Sequence, residues 1–281
     1  MTTREDPKDA MKNLVCLNSN TYHGFSLEEA VEGAHRAGIK NIELSAVRGW
    51  TEHVSPEMTD SDVAAVRRFL SDRGVRPLAL GGHSNLTTEQ GRDRFRRNLA
   101  LGHRFGVEYV VTGTGETHGD ESEIEDEGQL VEDLRVLGRA ARYLELDVAI
   151  ETHGANFNTG QRVRALVDKV ALPNVAVAYD TGNVIFYADT QPYDDLKSSA
   201  GSVRGFHLKD KRGAPKDWDF PALGQGDLDL ARFASIVEST GCTAPLSIEI
   251  EFTPDFPTDV EVVHAAVASS VRALRPFVDI S

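Results

Sequence analysis

Apolar residues follow two alternating spacings along this chain. Short, nearly continuous runs rich in Val, Ile and Leu fall at 13–18, 40–45, 76–81, 107–113, 146–152, 174–180, 202–208 and 245–251. Strands buried on both faces need such runs, because neither face meets water. Between the runs, apolar positions recur at helical spacing. The first such segment, 26–37, opens on Ser26 with Glu29 three residues later, the pattern of a reciprocal N-terminal cap, and Gly38 follows its end. Further helices are predicted over 61–72, 88–105, 127–144, 159–170, 227–239 and 258–274, most of them closed by a nearby Gly or Pro.

Eight strands alternating with helices predict an α/β fold, a closed parallel (β/α)8 barrel with its active site at the C-terminal ends of the strands. An open doubly wound sheet is the competitor. It usually places a Gly-rich turn after the first strand, whereas here the chain runs Asn18-Ser-Asn-Thr-Tyr-His-Gly24. The length, 281 residues, fits one barrel of about 250 residues with extensions. Residues 1–281 are therefore expected to form a single domain, with 1–11 a loose polar leader. The acidic run at 119–127 reads as a solvated loop, and Gly224-Gln-Gly226-Asp227 as a turn into a helix capped by Asp227.

Composition narrows the partners. A formal net charge of −14 disfavours nucleic acid and anionic membranes, which both select Lys and Arg clusters. The two cysteines, Cys16 and Cys242, stand in no CxxC motif and are expected to be buried thiols in a reducing compartment. The polar N-terminal stretch has no apolar signal region, and no segment approaches the roughly 18 apolar residues of a membrane span. A cytoplasmic protein is the expectation.

Candidate chemistry sits at the ends of the last four strands. These read Val148-Ala-Ile-Glu151-Thr-His153, Val175-Ala-Val-Ala-Tyr-Asp180, Val203-Arg-Gly-Phe-His207-Leu-Lys209-Asp210 and Leu246-Ser-Ile-Glu249-Ile-Glu251. Glu151, Asp180, His207 and Glu249 thus end or nearly end successive strands, which a barrel would converge on one site. Three carboxylates and one imidazole suit Mn²⁺ first, with Mg²⁺, Co²⁺ and Zn²⁺ admitted; without thiolate, a structural zinc site is disfavoured.

The segments Ile150-Glu151-Thr-His153, Tyr179-Asp180-Thr-Gly-Asn183, His207-Leu-Lys209-Asp210 and Ser247-Ile-Glu249 resemble the signatures of the sugar phosphate isomerase/epimerase superfamily, the xylose isomerase-like TIM barrels. Ketose 3-epimerases, hydroxypyruvate isomerase, inosose dehydratase and isomerase, 3-dehydroshikimate dehydratase and the type 2 apurinic endonucleases belong to that group. The resemblance spans nearly the whole chain. It implies that Glu151, Asp180, His207 and Glu249 ligate a divalent metal, and that Glu151 and Glu249 also move protons, as in the related epimerases. It implies a homo-oligomer as well. Two features depart from the ketose 3-epimerases: Asn183 stands where they commonly carry His, and Ile250 where Pro often follows the last Glu.

A metal chelating a carbonyl and an adjacent hydroxyl would acidify the neighbouring C–H, and a carboxylate on each side of that carbon could remove and return the proton. The leading expectation is therefore a metal-dependent isomerase or epimerase acting on a small keto sugar or keto-polyol. A lyase or dehydratase shares the first step and needs an acid for its leaving group, with His153 or Lys209 as candidates. An apurinic endonuclease would need a basic groove, and a non-catalytic sugar binder would have no need of the ligand set. Substrate contacts are expected from His83, His153, Lys209 and Trp218, with Trp50, Phe157 and Phe186 as further aromatic walls. Glu43 ends strand 2 as a buried polar candidate, Glu251 supports Glu249, and Asp210 is expected to orient His207. His118 follows strand 4 in a stretch that lacks the third Gly of GxGxxG and any Lys-Ser/Thr pair, so a nucleotide loop is disfavoured.

Overall fold

A computed structural model describes residues 11–115, 124 and 126–280. Eight parallel strands close into a ring in chain order: β1 (Val15–Asn18), β2 (Asn41–Ser45), β3 (Arg76–Gly81), β4 (Tyr109–Thr112), β5 (Asp147–Glu151), β6 (Val175–Asp180), β7 (Val203–Leu208) and β8 (Leu246–Ile248). Each strand pairs with the next, and β8 returns to β1. The fold is the (β/α)8 barrel that the alternation predicts.

The outer helices are α1 (Leu27–Ala37), α2 (Asp60–Asp72), α3 (Glu89–Phe105), α4 (Glu127–Tyr143), α5 (Gly160–Val170), α6 (Asn183–Ala188), α7 (Pro192–Ser199), α8 (Leu230–Thr240) and α9 (Val260–Leu274). The Ser26–Glu29 capping box forms in both directions, and Gly38 ends α1 with φ 77°. Among the described residues no helix is long and apolar enough to cross a membrane.

Four local expectations change. Two short helices, α6 and α7, occupy the stretch after β6, too brief for helical periodicity to reveal. Pro192 in the first turn of α7, followed by Asp194 and Asp195, is the start signal that was there to be read. The cap of α8 is Asp229, not Asp227: its side chain accepts the Arg232 amide at 3.0 Å. Met11, the last residue of the expected leader, is buried and bridges Val278, while residues 1–10 lie outside the described residues. Cys16 is buried and Cys242 only half-buried; both are free thiols. Most of the acidic run at 119–127, and His118, lie outside the described residues.

Two packing layers hold the ring. Val31, Leu99, Leu134, Leu166, Phe233 and Val267, one from each of six helices, belong to the large core in which helices cover the strands. Inside the ring, Ala79, Tyr109, Val111, Ala149 and Ala178 form a separate cluster. Tyr109 reaches from β4 across to β7, where a Cβ on Gly205 would lie 2.6 Å from its hydroxyl. One large ring among small residues thus fills the axis beneath the strand ends.

Candidate metal centre

The strand ends deliver four ligand-type side chains to one point above this plug. Glu151 and Asp180 are the last residues of β5 and β6, His207 is the penultimate residue of β7, and Glu249 follows β8. One ligand atom from each lies within 4.8 Å of the others, and all four residues are buried. His207 Nδ1 is 2.5 Å from Glu151 Oε1 and 3.5 Å from Glu249 Oε2. His207 Nε2 lies 2.9 Å from Glu43 Oε1, on a residue with no solvent exposure. That carboxylate accepts a hydrogen bond from Nε2–H and leaves Nδ1 as the nitrogen turned toward the cluster.

The carboxylates divide their oxygens. Glu249 Oε1 accepts from Asn18 Nδ2 at 3.0 Å and Asn20 Nδ2 at 2.9 Å. Asp180 Oδ1 accepts the backbone amides of Gly182 and Asn183, each at 2.8 Å. The other two oxygens, Glu249 Oε2 and Asp180 Oδ2, are buried and accept no hydrogen bond. Each lies 3.0 Å from Lys209 Nζ, close in charge but not aligned for a hydrogen bond. Lys209 donates to Glu251 Oε2 at 3.0 Å. Buried carboxylate oxygens without a hydrogen bond are costly, and two of them converging with an imidazole nitrogen and Glu151 form a hard-donor set that fits a divalent cation.

Burial would lower the pKa of His207, yet the carboxylates of Glu43, Glu249 and Glu151 hold it well above its ordinary value. Burial likewise opposes charge on Lys209, and Asp180, Glu249 and Glu251 override it. Burial raises Asp180 to about 7, with Lys209 pulling down and Glu151 and Glu249 pushing up. Glu151 stays well below the usual carboxylate range despite burial, because His207 and His83 face it. Glu249 is lowered against its burial by Lys209 and His207, whereas burial raises Glu251. A divalent ion binding here would have to displace protons held at Asp180 and His207.

A pocket opens over this floor. Glu151, Glu249, Lys209, His83, His153 and Trp218 all line it, while Asp180 and His207 lie beneath. His83 Nε2 meets Glu151 Oε2 at 2.8 Å, and His153 Nε2 meets the Tyr187 hydroxyl at 3.0 Å. Trp218 packs edge-on against Phe186 and Phe220, and its buried Nε1 has no acceptor. Trp50 and Phe186 are wall residues; Phe157 is not, because it turns into the core while its carbonyl takes the His153 amide.

Asp210 does not orient His207. An odd spacing from His207 puts its side chain on the opposite face of the strand. There it accepts the amides of Lys211, Gly224, Gly226 and Leu228 and ties down the loop before α8. Sequence reasoning missed Asn18, Asn20, Tyr187 and Phe220. Asn18 at the end of β1 and Asn20 two residues later were the available signal; Tyr187, in the short α6, and Phe220, outside the named elements, had none.

The family model described as xylose isomerase-like TIM barrel matches residues 31–273. A 3-dehydroshikimate dehydratase of Pseudomonas putida is 27% identical over 179 residues, 58% of this chain and 26% of that protein, so the chain spans about a quarter of that relative's length. Among solved structures, an IolI protein with a bound zinc atom is 21% identical with a TM-score of 0.76, covering 94% of this chain and 98% of the other. A D-allulose 3-epimerase from Methylomonas sp. is 18% identical with a TM-score of 0.72, covering 94% and 96%.

Proposed function

We propose that this chain, which belongs to the xylose isomerase-like TIM barrel family, is a divalent-metal-dependent isomerase or epimerase acting on a small keto sugar or keto-polyol. The observation that carries this reading is the pair of oxygens that accept no hydrogen bond among the described residues, Glu249 Oε2 and Asp180 Oδ2, converging with Glu151 and His207 on the floor of the pocket. Glu151, Asp180, His207 and Glu249 would hold the ion, Mn²⁺ foremost. When bound, it supplies the Lewis acidity that weakens a C–H bond beside a substrate carbonyl.

The chain's own groups do the rest. Glu151 and Glu249 reach the pocket from β5 and β8, so one carboxylate removes the proton from one face of the carbon and the other returns it to the opposite face. His83 steadies Glu151 through its 2.8 Å contact. Trp50, Phe186 and Trp218 line the pocket and offer ring surface to C–H-rich sugar faces.

One observation favours a second reading. His153 and Tyr187 stand hydrogen-bonded on the wall beside Glu151, where they could protonate a leaving group, as a lyase or dehydratase requires. The Pseudomonas dehydratase is a relative in that direction.

The test is elemental analysis of the purified protein before and after chelation, beside Glu151→Gln and His207→Ala. Stoichiometric divalent metal, bound more than about 100-fold more weakly by the variants, is expected. The loaded enzyme is then incubated with keto sugars in deuterated water. Deuterium beside the carbonyl with unchanged composition marks isomerase or epimerase, and loss of water marks the lyase. Protein that takes up no metal even on reconstitution would sink both.

A further inference from the structure

A chain of hydrogen bonds leads from Glu249 out of the pocket. Asn20 sits in the single 3₁₀ turn that follows β1. Its Nδ2 donates to Glu249 Oε1 at 2.9 Å and to Glu251 Oε1 at 3.2 Å. Carboxylate oxygens can only accept here, so the amide nitrogen must face them and Asn20 Oδ1 must face away. Oδ1 receives the Thr51 hydroxyl at 2.7 Å. That hydroxyl has one proton, now spent on Asn20. His23 Nδ1 lies 2.8 Å from the same oxygen and must therefore be the donor. Two site carboxylates thus dictate the orientation of an amide, the direction of a hydroxyl and the tautomer of a half-buried histidine. Burial lowers the pKa of His23, in keeping with a neutral ring.

The far end of the chain is also fixed. The His23 ring stacks on Trp50 at 4.2 Å and touches Phe256 at 4.8 Å. Trp50 lines the pocket, and its neighbour Thr51 carries the bond to Asn20. The loop after β2 therefore contributes one wall of the pocket and the anchor of Glu249 through adjacent residues.

We infer that Asn20 is a positioning residue for Glu249, locked in place by Thr51 and His23, and that it keeps Glu249 Oε1 outside the cluster so that Oε2 faces the metal. The inference rests on the proposed metal site, and it assigns Asn20, Thr51 and His23 a shared role in building that site. Asn18 holds Oε1 as well, so loss of the chain loosens Glu249 without releasing it.

The wild-type protein gives the first readout. Long-range ¹H–¹⁵N NMR of the ¹⁵N-histidine-labelled full chain, with His23 assigned through His23→Asn, should show the Nδ1–H tautomer; the Nε2–H tautomer overturns the chain. The second readout is Zn²⁺ affinity by calorimetry and the visible spectrum of the Co²⁺-loaded protein. Thr51→Val keeps the shape and removes the hydroxyl; it should bind Zn²⁺ about tenfold more weakly and shift the Co²⁺ bands. Thr51→Ser should restore both. Wild-type affinity and spectrum in Thr51→Val overturn the positioning role. If the wild type itself binds no metal, the proposed function fails, and the His23 tautomer still decides whether the chain exists.

Discussion

The two mouths of the barrel both carry clusters of charge, and they differ in every respect that matters. At the N-terminal mouth, Arg76 faces Glu108 at 3.6 Å, and Arg204 bridges Glu108 at 3.0 Å and Asp147 at 2.7 Å. These side chains are 26–55% exposed, and two cations meet two carboxylates. At the C-terminal mouth five carboxylates (Glu43, Glu151, Asp180, Glu249, Glu251) crowd around His207 and Lys209, each less than a tenth exposed. Glu43, Asp180 and Glu249 each keep an oxygen without a hydrogen bond. The first cluster is balanced and wet, so it contributes little beyond local order. The second is unbalanced and dry, an arrangement that costs stability unless a further cation or a proton joins it.

Lys209 sharpens the contrast most. Lys209→Met removes a buried cation that touches three carboxylates and should destabilise the metal-free protein by about 3–5 kcal/mol, as for a broken buried pair. Chemical denaturation measures it, and a loss under 1 kcal/mol would mean that the cluster is already neutralised by protons.

The next effect is on metal binding. Burial holds Asp180 at about 7, and its carboxylate neighbours raise His207, so both carry protons below neutrality. A metal must displace them; affinity should therefore rise with pH through this range, by about tenfold per unit for each proton released. Calorimetry in buffers of different ionisation enthalpy counts those protons, and a pH-independent affinity between pH 6 and 8 would contradict the assignment.

The smallest effect belongs to the other mouth. Glu108→Ala removes a 43%-exposed partner of two arginines and should change stability by less than about 1 kcal/mol while leaving metal affinity unchanged. A larger loss would show that the N-terminal cluster shares the burial and energetics of the C-terminal one.

Much of this site was legible in the residue order because strand chemistry is local. A run of apolar residues ending in Glu151 or Asp180 announces a buried strand and places its last side chain at a barrel mouth, and the two-residue period puts Lys209 on the side of His207. The same period, applied to Asp210, would have excluded it as the partner of His207. Short helices such as α6 were not legible, since one or two turns leave no periodicity and are held by what they pack against.

By itself, then, the sequence determined the eight-strand alternation, the family and the four ligand-type residues at successive strand ends, all of them read from spacing and residue type within short windows. Only the closed ring decided who meets whom. Glu43 reaches His207 across 164 residues, and Asn18 and Asn20 reach Glu249 across about 230, because β1 closes on β8 and β2 stands beside it. Hydrogen bonds of this kind carry no periodic signature. They depend on a few ångströms of three-dimensional placement, which the packing of the barrel fixes and no local pattern encodes.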